Sequence, residues 1–176
     1  VLRMLDGTSR DPQEVVGLVP PALAPATVEK IAINAVMAGC KPEYLPVVLA
    51  AVEAVLDESF AMHGVLATTM FVGPVVIVNG PVRRRIGMNA KGNALGQGNR
   101  ANSSIGRALQ LVIRNIGEGR PQEVDRATLG NPGKLGYCFA EDEEGSSWEP
   151  LAIERGAKPG VSAVTVFAGF GLQGVV

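Results

Sequence analysis

Aromatic residues are scarce in this chain: one Trp, two Tyr and five Phe among 176 residues. A core of any size must therefore be built from Val, Leu, Ile, Ala and Met. Charge of one sign is also lacking. Sixteen Lys and Arg stand against 17 Asp and Glu, for a formal net charge of −1, so no overall field draws the chain to nucleic acid or to an anionic membrane. With no basic stripe and little stacking surface, a nucleic-acid partner is not expected. Cysteine occurs only at Cys40 and Cys138, too few for a disulfide-stapled secreted scaffold. There is no CxxC. One histidine, His63, and two distant cysteines do not make a zinc set, so no metal is expected, and no motif specifies a cofactor. The N-terminal stretch VLRMLDGTSRDP has no apolar run of signal-peptide length. The longest uncharged run, Pro159 to Val176, is Gly-rich and too short to cross a bilayer. The expectation is a soluble cytoplasmic protein without a membrane partner. The chain starts at Val1 and stops in the apolar GLQGVV, which reads as part of a larger polypeptide.

What is present is a globular composition. Apolar residues make up 47% of the chain and charged residues 19%, well outside the disordered range. Residues 1–25 read as an extended arm, with a short strand at Val1–Leu5, a turn at Asp6-Gly7, and prolines that forbid a continuous helix. Residues 26–176 read as one α/β domain. A first helix follows Pro25, capped by Thr27. It buries Val28, Ile31, Ala32, Ala35 and Val36 and ends at Gly39. A second helix starts at Pro42, buries Leu45, Val48, Leu49, Val52 and Leu56, and extends to Ala61. The short link between them predicts a helical hairpin. Strands are predicted at Val65–Val72 and Val75–Val78, with a short one at Val82–Ile86. A third helix spans Asn102 to Ile116 and buries Ile105, Ala108, Leu109, Val112, Ile113 and Ile116. Two more strands fall at Leu135–Ala140 and Val161–Ala168. The order predicts an α/β or α+β fold: a mixed central sheet carrying the hairpin and the third helix.

The stretch most open to a functional reading is Ile86–Arg107, IGMNAKGNALGQGNRANSSIGR. It is rich in Gly and Asn and has almost nothing to bury, so it must run over the surface. Loops of this length without structure of their own are usually functional or disordered. It leads into the third helix, where Asn99 or Asn102 can cap and Ser103 and Ser104 occupy the first turn. Free N–H groups and the positive end of the helix dipole favour an anion there. Arg100 and Arg107 add charge, and the glycines admit a ligand to the backbone. The loop matches neither GxGxxG in a strand–turn–helix setting nor GxxxxGK[ST], so no dinucleotide or P-loop site is indicated. On a strand, Arg83 and Arg85 share one face and Arg84 the other, with Val82 and Ile86. Two readings stand: a charged edge strand that resists aggregation, or Arg84 turned into the polar loop to hold an anion.

The remaining candidates are weaker. Lys41 favours a thiolate at Cys40, but a helix C-terminus opposes it. Cys138 lies in an apolar strand pattern, where buried inert cysteine is usual. His63, at a helix-to-strand turn, is a candidate general base or an ordinary surface histidine. Glu29, Lys30 and Asn34 share the polar face of the first helix. The run Glu141–Glu144 reads as a solvated acidic turn.

Three long segments carry a family likeness. TVEKIAINAVMAGCKPEYLPVVLAAVEAV, then GPVVIVNGPVRRRIGMNAKGNALGQGNRANSSIGRALQLVIRNIGEGRP, then SAVTVFAG resemble the bacterial UGSC-like (seleno)proteins over about residues 26–170. The resemblance implies thiol or selenol chemistry. The name-giving U/C-G-S-C motif is absent, which places the reactive atom in another domain or subunit. Together these readings predict an enzyme domain, a member of an oligomer, that binds a small anionic substrate through Asn79, Arg84, Asn89, Asn93, Asn99, Arg100, Asn102, Ser103 and Ser104. His63 and Cys40 are the candidate catalytic residues, and thiol-linked redox, lyase or hydrolase chemistry all remain open. The alternative is a non-catalytic assembly domain.

Overall fold

In the computed structural model, which describes residues 1–171, the chain opens with one helical turn, α1 (Leu2–Leu5), not a strand. A two-stranded antiparallel hairpin follows, β1 (Val15–Val19) and β2 (Ala24–Thr27). The extended arm expected over residues 1–25 contributes Met4 and Val19 to the core. The apolar tail beyond Gly171 lies outside the described residues.

The helical hairpin forms as its punctuation requires. Thr27 accepts from the Lys30 amide at 3.2 Å and starts α2 (Val28–Ala38). Gly39 ends it in the left-handed region, a conformation that glycine enters without penalty. Val28, Ile31, Ala32 and Ala35 are buried, but Val36 is 42% exposed. Asn34 takes its place toward the interior. It accepts from Asn115 Nδ2 at 2.7 Å and donates to the Lys30 carbonyl at 2.9 Å, which satisfies a polar group that would otherwise be costly to bury. A 3₁₀ turn at Pro42–Tyr44 leads into α3 (Leu45–Leu56). This helix stops five residues earlier than the expected end at Ala61. Asp57 leaves the helical region and caps the next turn by accepting from the Ser59 amide at 2.9 Å.

The expected strand at Val65–Val72 begins instead as α4 (Met62–Ala67). Met62, Val65 and Leu66 are buried at i, i+3 and i+4, so a helical period prevails over the β-branched composition. The central strand β3 (Gly73–Asn79) has an almost wholly buried pattern, as an apolar run covered on both faces should. The expected strand at Val82–Ile86 is also a helix, α5 (Pro81–Arg85). Pro81 supplies a favoured first helical residue. Val82 and Ile86, four apart, both face inward at 4% and 5% exposure, a spacing that satisfies a helix turn as well as a strand.

The third predicted helix is α6 (Arg100–Asn115), and its six expected apolar positions are all buried. β4 (Tyr137–Ala140), the single turn α7 (Leu151–Glu154) and β5 (Ala163–Gly169) complete the fold. The sheet order is β4-β3-β5. β3 and β4 are parallel, with Val75 opposite Tyr137 and Val78 opposite Ala140. β3 and β5 are antiparallel, with Val76 opposite Val166. The sheet is thus mixed, with α6 packed on β4, α3 on β5, and α2 against α6. At Gly106 the α6 backbone comes so close to the start of β4 that an added Cβ would lie 2.9 Å from backbone atoms of Gly136 and Tyr137. No helix among the described residues is long and apolar enough to cross a membrane.

Candidate functional site at the carboxyl edge of the parallel pair

Parallel pairing decides what meets what. β3 and β4 run the same way, so the residues that follow each strand emerge at the same edge of the sheet. After β3 come Gly80, α5, the polar loop and the start of α6. After β4 comes the acidic run Glu141–Glu144. In α/β sheets the crevice outside the carboxyl ends of the strands is where ligands usually bind. Here that edge brings the arginine triplet against the acidic run.

Arg83, only 5% exposed, is the centre of this contact. Its Nη2 donates to Glu143 Oε2 at 2.6 Å and also reaches Glu144, while its Nη1 donates to Glu144 Oε2 at 3.0 Å. Glu143 also accepts from the Gly80 amide at 2.6 Å and from Asn79 Nδ2 at 3.0 Å. Asn79 Nδ2 bonds Glu141 Oε2 at 2.6 Å, and Glu141 in turn accepts from the Leu151 amide at 3.0 Å. Burying an arginine is tolerable only with such partners. The carboxylates respond as expected beside a cation. The hydrogen bond from Arg83 is the largest influence on Glu144 and holds its carboxyl down to about 2. Burial alone would raise Glu143, but donors from Arg83, Gly80 and Asn79 together outweigh it, and its carboxyl lies below the ordinary range. Both are ionised at neutral pH and are poor general acids.

A cavity of about 660 Å³ opens beside this cluster, within the range of small-molecule sites. Asn79, Arg83, Glu143 and Glu144 line it on one side, and Pro150, Ile153 and Val161 on the other. Gly80 is required in its lining: its φ is +80°, and a Cβ there would meet the Val161 carbonyl oxygen at 2.4 Å. Ser162 Oγ accepts from the Val82 amide at 3.0 Å and fixes the facing wall. Two buried polar atoms of the lining residues, the acceptor Asn79 Oδ1 and the donor Arg83 Nε, have no partner among the described residues. Native structures leave few such atoms unpaired.

The polar loop is ordered by its own asparagines. Asn102, 2% exposed, accepts from the Asn89 amide at 3.1 Å and donates to the Asn89 and Ala94 carbonyls at 2.9 and 3.0 Å. Asn89 Nδ2 donates to Asn99 Oδ1 at 3.0 Å, Asn99 Nδ2 to the Asn93 carbonyl at 2.6 Å, and Asn93 Nδ2 to the Gln97 carbonyl at 2.9 Å. Lys91 ties the loop to Asp142 at 2.9 Å. Of the five predicted asparagines, the four from Asn89 to Asn102 do converge, but on one another and on loop carbonyls. None caps α6, whose N-terminus has no side-chain cap.

The other predicted residues fall in different places. Arg84 lies on a helix and is 69% exposed on its side chain, paired with Glu144 and not turned into the loop. Arg100 Nε donates to the Gly39 carbonyl at 3.1 Å. Ser103 is exposed. Ser104 is buried with its hydroxyl unpaired, and its carbonyl accepts from Cys40 Sγ at 3.3 Å. Burial pushes the Cys40 and Cys138 thiols up, Cys138 the more so. His63 is exposed on α4 and lines no part of the cavity. The acidic run is no solvated turn, since Glu141 and Glu143 are largely enclosed by their partners. Arg83, Glu141, Glu143 and Glu144 are therefore functional candidates that sequence reasoning missed. The available signal was a basic run after one apolar strand and an acidic run after another, which parallel pairing sets side by side. Comparison with protein-family models, with curated proteins and with solved structures returned no match.

Proposed function

We propose that this chain is the small-molecule-binding part of an enzyme, with the ligand seated in the cavity at the carboxyl edge of β3 and β4. The observation that carries this reading is the cavity of about 660 Å³ at that edge, lined by the charged cluster of Arg83, Arg84, Glu143 and Glu144 together with apolar Pro150, Ile153 and Val161, the mix of apolar wall and few placed polar groups that small-molecule sites use. The chain's own groups are better suited to binding than to bond-breaking. Glu143 and Glu144 are held ionised, and the thiols are buried. This fits the likeness to the UGSC-like proteins: the U/C-G-S-C motif that names them is absent from this chain, which leaves the reactive atom to another domain or subunit. The uncapped N-terminus of α6 is a second place for an anionic group.

Mapping amide shifts in ¹⁵N-labelled protein against a library of small polar fragments tests the reading. Binders should perturb Asn79, Gly80 and Arg83, and Val161→Trp, in the cavity lining, should abolish the effect. Binders that perturb only residues 86–104 would move the site to the polar loop.

The alternative of an assembly domain keeps one observation in its favour. Ile33, Val36 and Met37 form an exposed apolar stripe on α2 at i, i+3 and i+4, a surface suited to a second subunit.

A further inference from the structure

We propose that Glu144 occupies the seat of the ligand's own carboxylate, and that a carboxylate-bearing ligand binds by exchanging with it. The proposal rests on the cavity being the binding site. The two acidic partners of Arg83 are not equivalent. Glu143 is enclosed, its side chain 18% exposed, and it is also bonded by Gly80 and Asn79, so it is a fixed part of the wall. Glu144 is 44% exposed on its side chain, and among the described residues its partners are Arg83 and Arg84 alone. The backbone around it is held independently: the Gly145 amide bonds Asp142 Oδ1 at 3.1 Å and the Ser146 amide bonds the Asp142 carbonyl at 3.0 Å. Rotating the Glu144 side chain into water therefore breaks nothing except its contacts with the two arginines.

Charge and shape identify what replaces it. With Glu144 in place, Arg83 and Arg84 face Glu143, Glu144 and Glu149 around the cavity. A further anion would add to a site already one charge negative, so it must replace a carboxylate and cannot join them. The seat is built for a planar group with two oxygens. The two Nη atoms of Arg83 each take one oxygen of Glu144, the end-on, two-pronged pairing that guanidinium makes with carboxylate. Arg84 adds a further donor to the oxygen facing Arg83 Nη2. An internal carboxylate that fills the seat nine-tenths of the time weakens a ligand tenfold, since apparent affinity scales with the free fraction.

Calorimetric titration of the full chain with succinate tests the exchange, with inorganic phosphate and putrescine in parallel. Glu144→Gln keeps the size of the side chain and, at this half-exposed position, the fold. It should bind succinate at least about tenfold more tightly than the parent, and adding Arg84→Met should reverse most of the gain. Phosphate should gain less than succinate, and putrescine should not gain at all. A Glu144→Gln chain that binds succinate no better than the parent overturns the exchange, as does an equal or greater gain for phosphate or any gain for putrescine. A gain that survives Val161→Trp places the anion elsewhere and removes the cavity reading as well. Fragments that bind at Asn79 and Gly80 while succinate gains nothing would remove the exchange alone.

Discussion

Replacing Arg83 with Met separates the two roles its partners play. Methionine roughly fills the side chain's volume but removes the charge and its donors. Removing one member of a fully buried ion pair typically costs 3–5 kcal/mol, because the partner stays charged and unpaired. That figure must be discounted here. Glu144 is 44% exposed and can return to water. Glu143 is enclosed and, among the described residues, keeps Gly80 and Asn79 alone as donors. The loss should therefore be about 2–3 kcal/mol, mostly from Glu143. Urea denaturation at pH 7, extrapolated for the single variants and for the double-mutant cycles, measures it. The Arg83–Glu143 coupling should exceed the Arg83–Glu144 coupling, even though Glu144 makes more contacts with Arg83. A loss below about 0.5 kcal/mol, typical of surface changes, or a reversed order of couplings, would refute the view that enclosure decides the strength of this cluster.

Acid should reveal the same cluster. Glu144, held at about 2 mainly by its hydrogen bond from Arg83, and Glu143, also lowered, are both depressed on folding. Their contribution is present above the ordinary value of 4.5 and is lost as pH falls toward about 2. Stability followed over that window should fall less steeply in Arg83→Met than in the parent. Asn102→Ala removes three hydrogen bonds from a buried side chain. It should cost about 2–3 kcal/mol and raise amide hydrogen exchange across residues 89–99, while the far end of α6 stays protected. Gly106→Ala places a Cβ 2.9 Å from the backbone leading into β4. It should lower stability by about 1–2 kcal/mol in thermal or chemical unfolding despite alanine's higher helix propensity.

The elements whose signals are local were legible. Thr27 and Gly39 bracket α2, and the six apolar positions of α6 are all buried, because capping and a 3.6-residue period depend only on neighbours within a turn or two. The misread elements are short. In Met62–Ala67 and Pro81–Arg85 a few apolar residues fit either a helix or a strand, and packing chose between them. Arg83 shows the consequence. Read on a strand, it points away from Arg84 toward solvent. On α5 it turns inward, and Arg84 takes the outer position. The polar loop was correctly read as a surface segment leading into a helix, but its asparagines are occupied in holding its own backbone. Nothing in the order of residues says whether an amide will bond a ligand or a carbonyl five residues away.

By itself, then, the sequence determined the apolar composition of the core, the hairpin of α2 and α3, the long amphipathic α6 and the central β3, since each is written in spacing and caps. Only the tertiary structure decided the site. The arginines at 83–84 and the acids at 141–144 lie some sixty residues apart, and their meeting requires β3 and β4 to pair in parallel with Val78 opposite Ala140. That register comes from burying both strands in one core, a long-range condition that no local pattern along the chain contains.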